Sequence, residues 1–557
     1  MKFKSLLLLA AMFAAGNAWA LDKNGDGVYQ IGTAQDLALN LQARVDIIPQ
    51  PTQIQETGSL FYLTQGQTIG YTDKQLRPAA LYLQEVLTRA TGLQIPVRKG
   101  KGTYTLQLDG KADPQDESYR LSVNPWEVQL TAHCYRGITN GIATIRQLLP
   151  AEIESQAPVF GVKWQMPTVE IADQPAYVWR GLMLDPVRHF YTVEETKRLI
   201  DQMALYKYNK LHWHLIDDEG WRIEIKKYPQ LTQQGAWRHT DNRIDNGCAN
   251  RAKNEKNPDF LLPDIHFRVV DGDSLYGGFY TQNEIREVVC YAAQRGLDVI
   301  PEMDMPGHNS VAQSVYPWLS CTGEVNRVYC LGQDRTLGFC KDVYKEVFKL
   351  FPYEYVHIGG DEVERHIWKE CPKCQQRIKD ERLDGVEQLQ AWFTREMEKY
   401  FNAHQRKLLG WEEILDGGVT KTATIYWYRS DHTDITQRST SMGNEVVVCP
   451  DSHCYFDHGQ DNNTLRALYE ADLVPADLTT EQQKLVQGLQ ACVWGESIPT
   501  EARMQFMVFP RAIALAEKAW APRNEHDWNS FLSRLTKHFK RLEVMKVNYR
   551  PLETSIK

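Results

Sequence analysis

Two adjacent carboxylates, Asp361 and Glu362, close the stretch Tyr353-Glu-Tyr-Val-His-Ile-Gly-Gly-Asp-Glu362. Tyr355, Val356 and Ile358 read as a short β-run, and Gly359-Gly360 lets the backbone turn sharply behind it. A strand that ends in glycines and then acids has the form of a catalytic mouth on a parallel-strand barrel. Neighbours in a strand point to opposite faces, but where the chain turns both carboxylates can face one cavity. The competing reading places them in the first turn of a following helix, where they favour its dipole. As chemistry, the pair suits protonation of a poor leaving group. A carboxylic acid with a raised pKa is needed for that, and a second carboxylate next door raises it by like-charge repulsion.

The elements that would position this pair recur along the second half of the chain. A β–α alternation begins near Ala176, with strands read at Arg180–Asp185, Asn209–Ile216, Leu297–Met303, Tyr355–Ile358, Lys407–Trp411, Ala423–Trp427, Glu445–Cys449 and Leu489–Trp494. Helical patterns separate most of them. The one after the first strand has Thr192 as N-cap and Glu195 completing a capping box. Between strands five, six and seven the helices look short or absent. Two long helical stretches, at about 500–520 and 525–544, close the series. Eight such units argue for an α/β fold, a (β/α)8 TIM barrel, over residues 173–545. Before it, residues 46–172 mix strands and helices as a small α+β domain without an acid–base constellation.

On a barrel all strand ends of one sense lie on one face, and here each carries polar or aromatic residues. Strand one has Arg180 at its start and Asp185 and Arg188 at its end. Strand two runs into Asp217-Asp218-Glu-Gly-Trp-Arg222, and strand three into Glu302-Met-Asp304-Met-Pro-Gly-His308. Trp411, Trp427 and Trp494 end strands five, six and eight, each near an acid, and Tyr455-Phe-Asp457 follows strand seven. A lone Trp is core packing as readily as a binding wall. Three at strand ends beside carboxylates suit a sugar, whose apolar face stacks while its hydroxyls take hydrogen bonds.

The opening MKFKSLLLLAAMFAAGNAWA has a basic start, an apolar run and a small-residue cleavage site, the pattern of a secretory signal over residues 1–20. The product is expected to be periplasmic or secreted, with residues 21–45 as an N-terminal segment and 546–557 as a tail. Removing Lys2 and Lys4 takes the formal net charge from −8 to about −10. An acidic exported chain is a poor partner for nucleic acid or anionic membrane, and no later stretch is apolar enough for a membrane span. Asp22-Lys-Asn-Gly-Asp-Gly27 resembles half a calcium loop but has Thr33 where a bidentate Glu is required, so it reads as a polar turn. Of the 11 cysteines, Cys321 and Cys330 flank a loop and suit a local bridge. Cys371-Pro-Lys-Cys374 has the spacing of half a zinc site, yet no second pair at ligand spacing accompanies it, so disulfide pairing or inert thiols are expected. Glu302, Asp304, His308 and Asp217 have ligand chemistry, but a hydrogen-bond network about a hydroxylated ligand accounts for them equally well.

Three long motifs carry a resemblance. Trp179-Arg-Gly-Leu-Met-Leu-Asp-Pro-Val-Arg-His189, Lys210-Leu-His-Trp-His-Leu-Ile-Asp-Asp-Glu-Gly-Trp-Arg222 and His357-Ile-Gly-Gly-Asp-Glu362 resemble the glycoside hydrolase family 20 β-N-acetylhexosaminidases, and Ile145-Arg-Gln-Leu-Leu149 resembles the end of that family's small domain. The resemblance implies an exo-acting, retaining hydrolase of terminal β-N-acetylhexosaminides that uses the substrate's 2-acetamido group as nucleophile, an exception to the two-carboxylate rule. It implies Glu362 as general acid/base, Asp361 as the residue orienting the acetamido group, and Tyr455 as a donor to its carbonyl. Trp411, Trp427 and Trp494 match the acetamido pocket, and Arg180 and Glu496 match binders of the outer hydroxyls. Asp457 matches a further site acid, while His308 with Asp217 or Asp218 matches the network behind the catalytic pair. The partner implied is an N-acetylhexosamine-terminated oligosaccharide, with chitin fragments as the default. The alternatives are an inactive sugar-binding protein on the same fold, or a glycosidase with an enzyme nucleophile, which needs a second carboxylate about 5 Å from Glu362.

No cofactor, no metal in the site and no dependence on a divalent metal are expected. Dialysis against a chelator should leave turnover unchanged, and activity that is lost and then restored by one particular cation would overturn this.

Overall fold

The computed structural model describes residues 17–21, 28–33, 45–110, 113, 115–522 and 525–552. Most of the expected export signal and the whole Asp22–Gly27 turn lie outside the described residues. Eight parallel strands close into a barrel: β1 (Trp179–Leu184), β2 (Lys210–His214), β3 (Asp298–Glu302), β4 (Tyr355–His357), β5 (Lys407–Trp411), β6 (Thr424–Trp427), β7 (Glu445–Val448) and β8 (Val486–Val493). The closing contact is between first and last, with Trp179 opposite Gly488 and Leu184 opposite Val493. The strands are buried on both faces, as in the all-buried Lys-Leu-His-Trp-His of β2. That is why they read as short continuous runs rather than alternations.

Local chemistry starts the helices that separate them. Thr192 accepts from the Glu195 amide while Glu195 reaches back, so the capping box forms ahead of helix Val193–Leu205. Thr281 and Glu284 repeat the device ahead of Gln282–Gln294. Between β5 and β6 there is only a 3-10 turn, Glu412–Gly417, and between β6 and β7 only Ile435–Ser441. The stretch expected as one helix at 500–520 is two, Glu501–Val508 and Arg511–Trp520. Pro510 lies between them and has no N–H to continue the ladder.

The small domain is a seven-stranded mixed sheet whose strands follow the order Gln53–Tyr62, Gln165–Asp173, Tyr119–Val123, Val128–Ala132, Tyr104–Leu108, Ile69–Tyr71 and Val97–Lys99. Helices Arg77–Thr91 and Tyr135–Leu148 bury their apolar residues with it. Its core also takes in Trp520 from the last turn of a barrel helix, so the domain rests against the barrel rather than hanging from it.

Arg180 belongs to that contact. It sits at the start of β1, 1% exposed, where it donates to the Lys207 carbonyl at 2.7 Å, to the Tyr177 carbonyl at 2.7 Å and to Glu117 of the small domain. Its guanidinium lies 5.0 Å from the Trp520 ring. Beside it Lys207 pairs with Asp173 at 2.8 Å, both fully buried. Burial pushes the Glu117 carboxyl up, but Arg180, Arg136 and Lys210 outweigh it and hold the group at about 2. Arg180 is therefore at the end of the barrel opposite the strand-end carboxylates, and the expected role in sugar binding is corrected to one in domain docking. Leaving Glu117 buried without this partner typically costs about 3–5 kcal/mol. Arg180→Ala should accordingly lower the unfolding midpoint by several degrees while the KM of the folded fraction stays at the wild-type value, and a raised KM at unchanged stability would contradict the assignment.

Candidate active site

The turn after β4 is built for close approach. Gly359 has φ +72°, and a Cβ there would lie 2.0 Å from Asp304 Oδ1, so only glycine lets the β4 turn pass the β3 loop. The Gly360 amide then donates to Asp304 Oδ1 at 3.1 Å. Asp361 and Glu362 follow with no helix opening on them, since the next helical turn is Ile367–Glu370, and this removes the helix-dipole reading. Glu362 is held at φ +50°, and His308 opposite at φ +51°. Such left-handed conformations of non-glycine residues cost about 1–3 kcal/mol each and persist where the surroundings over-determine them. The two acids differ in setting. The Asp361 side chain is 13% exposed and that of Glu362 62%, so one is part of the wall and the other stands at the opening.

Behind the pair runs an alternation of carboxylates and imidazoles. Glu302, at the end of β3, accepts from His214 Nδ1 at 2.5 Å and from Trp411 Nε1 at 2.8 Å, and ring nitrogens of His212 and His357 stand 3.1 Å away. His214 Nε2 meets Asp217 at 3.0 Å. Asp217 in turn meets Arg188 at 2.6 Å and His308 Nδ1 at 3.1 Å. The far nitrogen of His308 stands 3.6 Å from Asp361 and 3.7 Å from Glu362. Asp218 also reaches His308, at 3.4 Å, but it is held by Ser310 and by Arg327 at 2.7 Å. Both aspartates are therefore in the site: Asp217 is the buried link and Asp218 anchors the loop.

The charges follow from these contacts. Burial opposes the charged form of His308, but Asp217, Asp218 and Asp361 outweigh it and hold the ring well above the usual histidine range. The same balance, set by Glu302 and Asp217, raises His214. His212, whose burial is not outweighed by Glu302, is pushed down to about 4. Burial raises Asp361, partly offset by His308. Burial and then the Asp361 charge push Asp304 well above the usual carboxylate range. Two buried atoms at the centre, Asp361 Oδ1 and His308 Nε2, have no hydrogen-bond partner in the protein. Their desolvation is met only when something with a donor and an acceptor sits there.

An aromatic wall faces them. The Trp494 ring lies 5.9 Å from Trp411 and 6.0 Å from Tyr455, and Tyr455 stacks on Tyr428 at 6.1 Å with 10° between planes. Trp427 ends β6 with its indole N–H on the Arg429 carbonyl at 2.9 Å. Tyr428, absent from the sequence expectations, is fixed by its hydroxyl on Glu413 at 2.7 Å. Burial, with Asp361 and Glu412 adding to it, pushes Glu413 up to about 8. At the rim the group that meets the acids is Arg188. It holds Asp185 at 2.9 Å and Glu219 at 3.0 Å, comes within 3.9 Å of Glu496, and lies 5.2 Å from the Trp494 ring. Asp185 also accepts from the Gly495 amide at 2.8 Å, tying the Glu496 loop to β1. Asp457 keeps a buried Oδ1 without a partner. Arg188 thus stands where Arg180 was expected, and its place at the strand end was the available signal.

Three side-chain groups here have ligand geometry: His212–Glu302–His357, Asp217–Asp218–His308 and Asp304–His308–Asp361. In the first, both Glu302 oxygens are already taken by N–H groups. In the third, Asp304 Oδ1 already accepts from the Gly360 amide. Hydrogen bonding accounts for both groups. A fourth group lies away from these residues. The expectation that Cys371 and Cys374 lack a second pair is overturned, because Cys321 and Cys330 converge on them. No disulfide joins any of the described cysteines.

Residues 177–523 match the catalytic domain of glycosyl hydrolase family 20, and residues 44–174 match domain 2 of that family. A beta-hexosaminidase of Porphyromonas gingivalis is 35% identical over 532 residues, covering 91% of this chain and 64% of that protein, so the chain spans just under two thirds of this relative's length. A beta-hexosaminidase of Vibrio furnissii is 34% identical over 500 residues, covering 85% of this chain and 76% of its own. Among solved structures, the GH20 exo beta-N-acetylglucosaminidase from Vibrio harveyi in complex with N-acetylglucosamine is similar with a TM-score of 0.77 at 32% identity, covering 91% of this chain and 78% of that one.

Burial pushes the Asp457 carboxyl up to about 6, with Glu496 adding to it and His458 opposing. Its upward shift means that the acceptor form is lost as pH falls through about 6. If Asp457 accepts from a substrate hydroxyl, KM should rise below that pH. Asp457→Asn should remove that limb and raise KM at pH 7 by about tenfold or more. Superimposable KM–pH profiles for variant and wild type would exclude Asp457 from substrate contact.

Proposed function

The chain belongs to glycosyl hydrolase family 20, and from that premise we propose that it is an exo-acting β-N-acetylhexosaminidase that removes terminal β-GlcNAc or β-GalNAc with retention, through the substrate's own acetamido group. The observation that carries the reading is the division between Asp361, set in the wall with an unpartnered oxygen, and Glu362, standing at the opening beside His308.

Glu362 in its acid form gives its proton to the glycosidic oxygen as the bond to the anomeric carbon breaks. The acetamido carbonyl oxygen, held beneath that carbon, forms the new bond. Because this attack is intramolecular it enjoys a high effective molarity. The acetamido N–H donates to Asp361, whose negative charge stabilises the positive oxazolinium that forms. The Tyr455 hydroxyl is the donor for the carbonyl oxygen, and Trp411, Trp427 and Trp494 enclose the methyl group. Water then attacks the anomeric carbon from the side the leaving group vacated, giving its proton to Glu362. This reopens the ring and regenerates both the acetamido group and the acid. Arg188 and Glu496 serve the outer hydroxyls. The export expected from the N-terminal sequence would place the enzyme with extracellular or periplasmic oligosaccharides, chitin fragments among them.

Glu362→Gln should reduce kcat by about 10²–10⁴ on a substrate with a poor leaving group, with KM little changed. A loss below tenfold would sink the assignment. A thiazoline analogue of the cyclised intermediate should compete with substrate and bind about 10²-fold or more tighter than the substrate. Asp361→Asn should weaken that inhibitor about tenfold or more, the worth of a charge-assisted hydrogen bond. A trapped glycosyl ester on the enzyme would point instead to an enzyme nucleophile.

A further inference from the structure

We propose that Cys321, Cys330, Cys371 and Cys374 form a tetrathiolate site for one soft divalent cation of the zinc class, and that the bound ion staples the loop after β3 to the loop after β4. The sulfurs of Cys321 and Cys374 are 3.7 Å apart, and Cys330 is 3.8 Å from both Cys371 and Cys374. All four lie within 4.8 Å of one another. A tetrahedral zinc site has Zn–S bonds of about 2.3 Å, which sets its sulfur–sulfur edges at about 3.8 Å. A disulfide needs two sulfurs at about 2.05 Å in an exclusive pair. Here Cys374 has two equal neighbours and so has Cys330, which is the relation of ligands about a centre and not of two bonded pairs. Cys330, Cys371 and Cys374 are buried, at 0%, 4% and 0% exposure.

The backbone is shaped to bring the halves together. A Cβ at Gly332 would lie 2.2 Å from the Lys373 carbonyl carbon and 2.4 Å from the Cys374 amide nitrogen, so only glycine lets the Cys330 segment cross the Cys371–Cys374 turn. The Trp368 indole donates to the Tyr329 carbonyl at 2.9 Å across the same seam. Thiolate ligands favour zinc over magnesium or calcium, and four protein ligands leave no open position, the mark of a structural and not a catalytic site.

The placement says what it supports. Arg327, between the first two cysteines, reaches Asp218 at 2.7 Å and Glu364 at 2.9 Å, and Glu364 is two residues past Glu362. The ion would thus hold together the two loops that carry His308 and the Asp361–Glu362 pair. It would do so without touching substrate, so its role is positioning.

The test is metal content together with a spectroscopic signature of the ligands. The full chain, purified without chelator, should carry about one zinc per chain by mass spectrometry of the elements, and native mass should show the same increment. Protein produced in zinc-depleted, cobalt-supplemented medium should show sulfur-to-cobalt charge transfer in the near ultraviolet and the intense visible bands of a tetrahedral thiolate site. Held by four thiolates, the ion should survive the dialysis against a chelator that leaves turnover unchanged, whereas Cys374→Ser should hold less than about one tenth of the wild-type metal, with kcat reduced and KM less affected. If Cys374→Ser does not fold, the cobalt spectrum of the unmodified chain still decides. Metal-free protein with the four cysteines in two disulfides, metal-free protein with four titratable thiols, or cobalt bands without thiolate charge transfer would each overturn the proposal.

Discussion

Gathering carboxylates at one end of a barrel is expensive unless each is paired, because an isolated buried charge costs several kcal/mol even after relaxation. The structure meets this by alternation. Glu302 is surrounded by His212, His214, His357 and Trp411. Asp217 lies between His214, Arg188 and His308, and Asp185 is taken by Arg188 and the Gly495 amide. The series stops one partner short at Asp361 Oδ1 and His308 Nε2. A donor for the first and an acceptor for the second are what an acetamide and a glycosidic oxygen carry between them. An end of the network that lacks a partner is thus where a ligand returns free energy.

Support for that network comes from the other end of the barrel as well. Arg180 and Arg188 lie on one short stretch of chain. Arg180 opens the six-residue β1 and Arg188 follows its end, and a strand of that length spans about 20 Å. One arginine docks the small domain through Glu117 and the other gathers the carboxylates of the mouth. The bottom can be large and buried because it has nothing to admit. The top has to leave Glu362 open, and pays with strained backbone at Glu362 and His308.

How much of this could be read from sequence follows from how local each feature is. The eight strands were legible to within a residue or two at most ends because buried parallel strands are short apolar runs between turn residues. The Thr192 and Glu195 capping box was legible because both partners lie in one turn. The Asp361–Glu362 pair was visible through the glycines that must precede it. The choice of arginine was misread because the motif contains two, and only the direction of β1 assigns them to opposite ends. Of the hub at Glu302, only Glu302 and Trp411 stood out in the sequence, because His212, His214 and His357 meet the carboxylate only when neighbouring strands pack. The four cysteines were misjudged because a C-x2-C pair advertises itself, whereas Cys321 and Cys330 become its partners only through the packing of two loops.

Those two loops carry the least regular part of the site, and the balance of strain and support in them is a physical question in its own right. His308 and Glu362 each occupy a left-handed conformation that isolated chain segments would leave. Nothing in their own sequence neighbourhood compensates. The compensation is long-range: the Gly360 amide on Asp304, the Gln390 amide group on the Gly360 carbonyl at 2.8 Å, Arg327 between Asp218 and Glu364, and the cysteine cluster beyond them. Closing a loop from both sides costs entropy once, and each further tie then acts on a segment already ordered. Ties of this kind hold the Glu362 carboxyl in an exposed position without letting it wander, which is the condition for the proton transfer proposed for it.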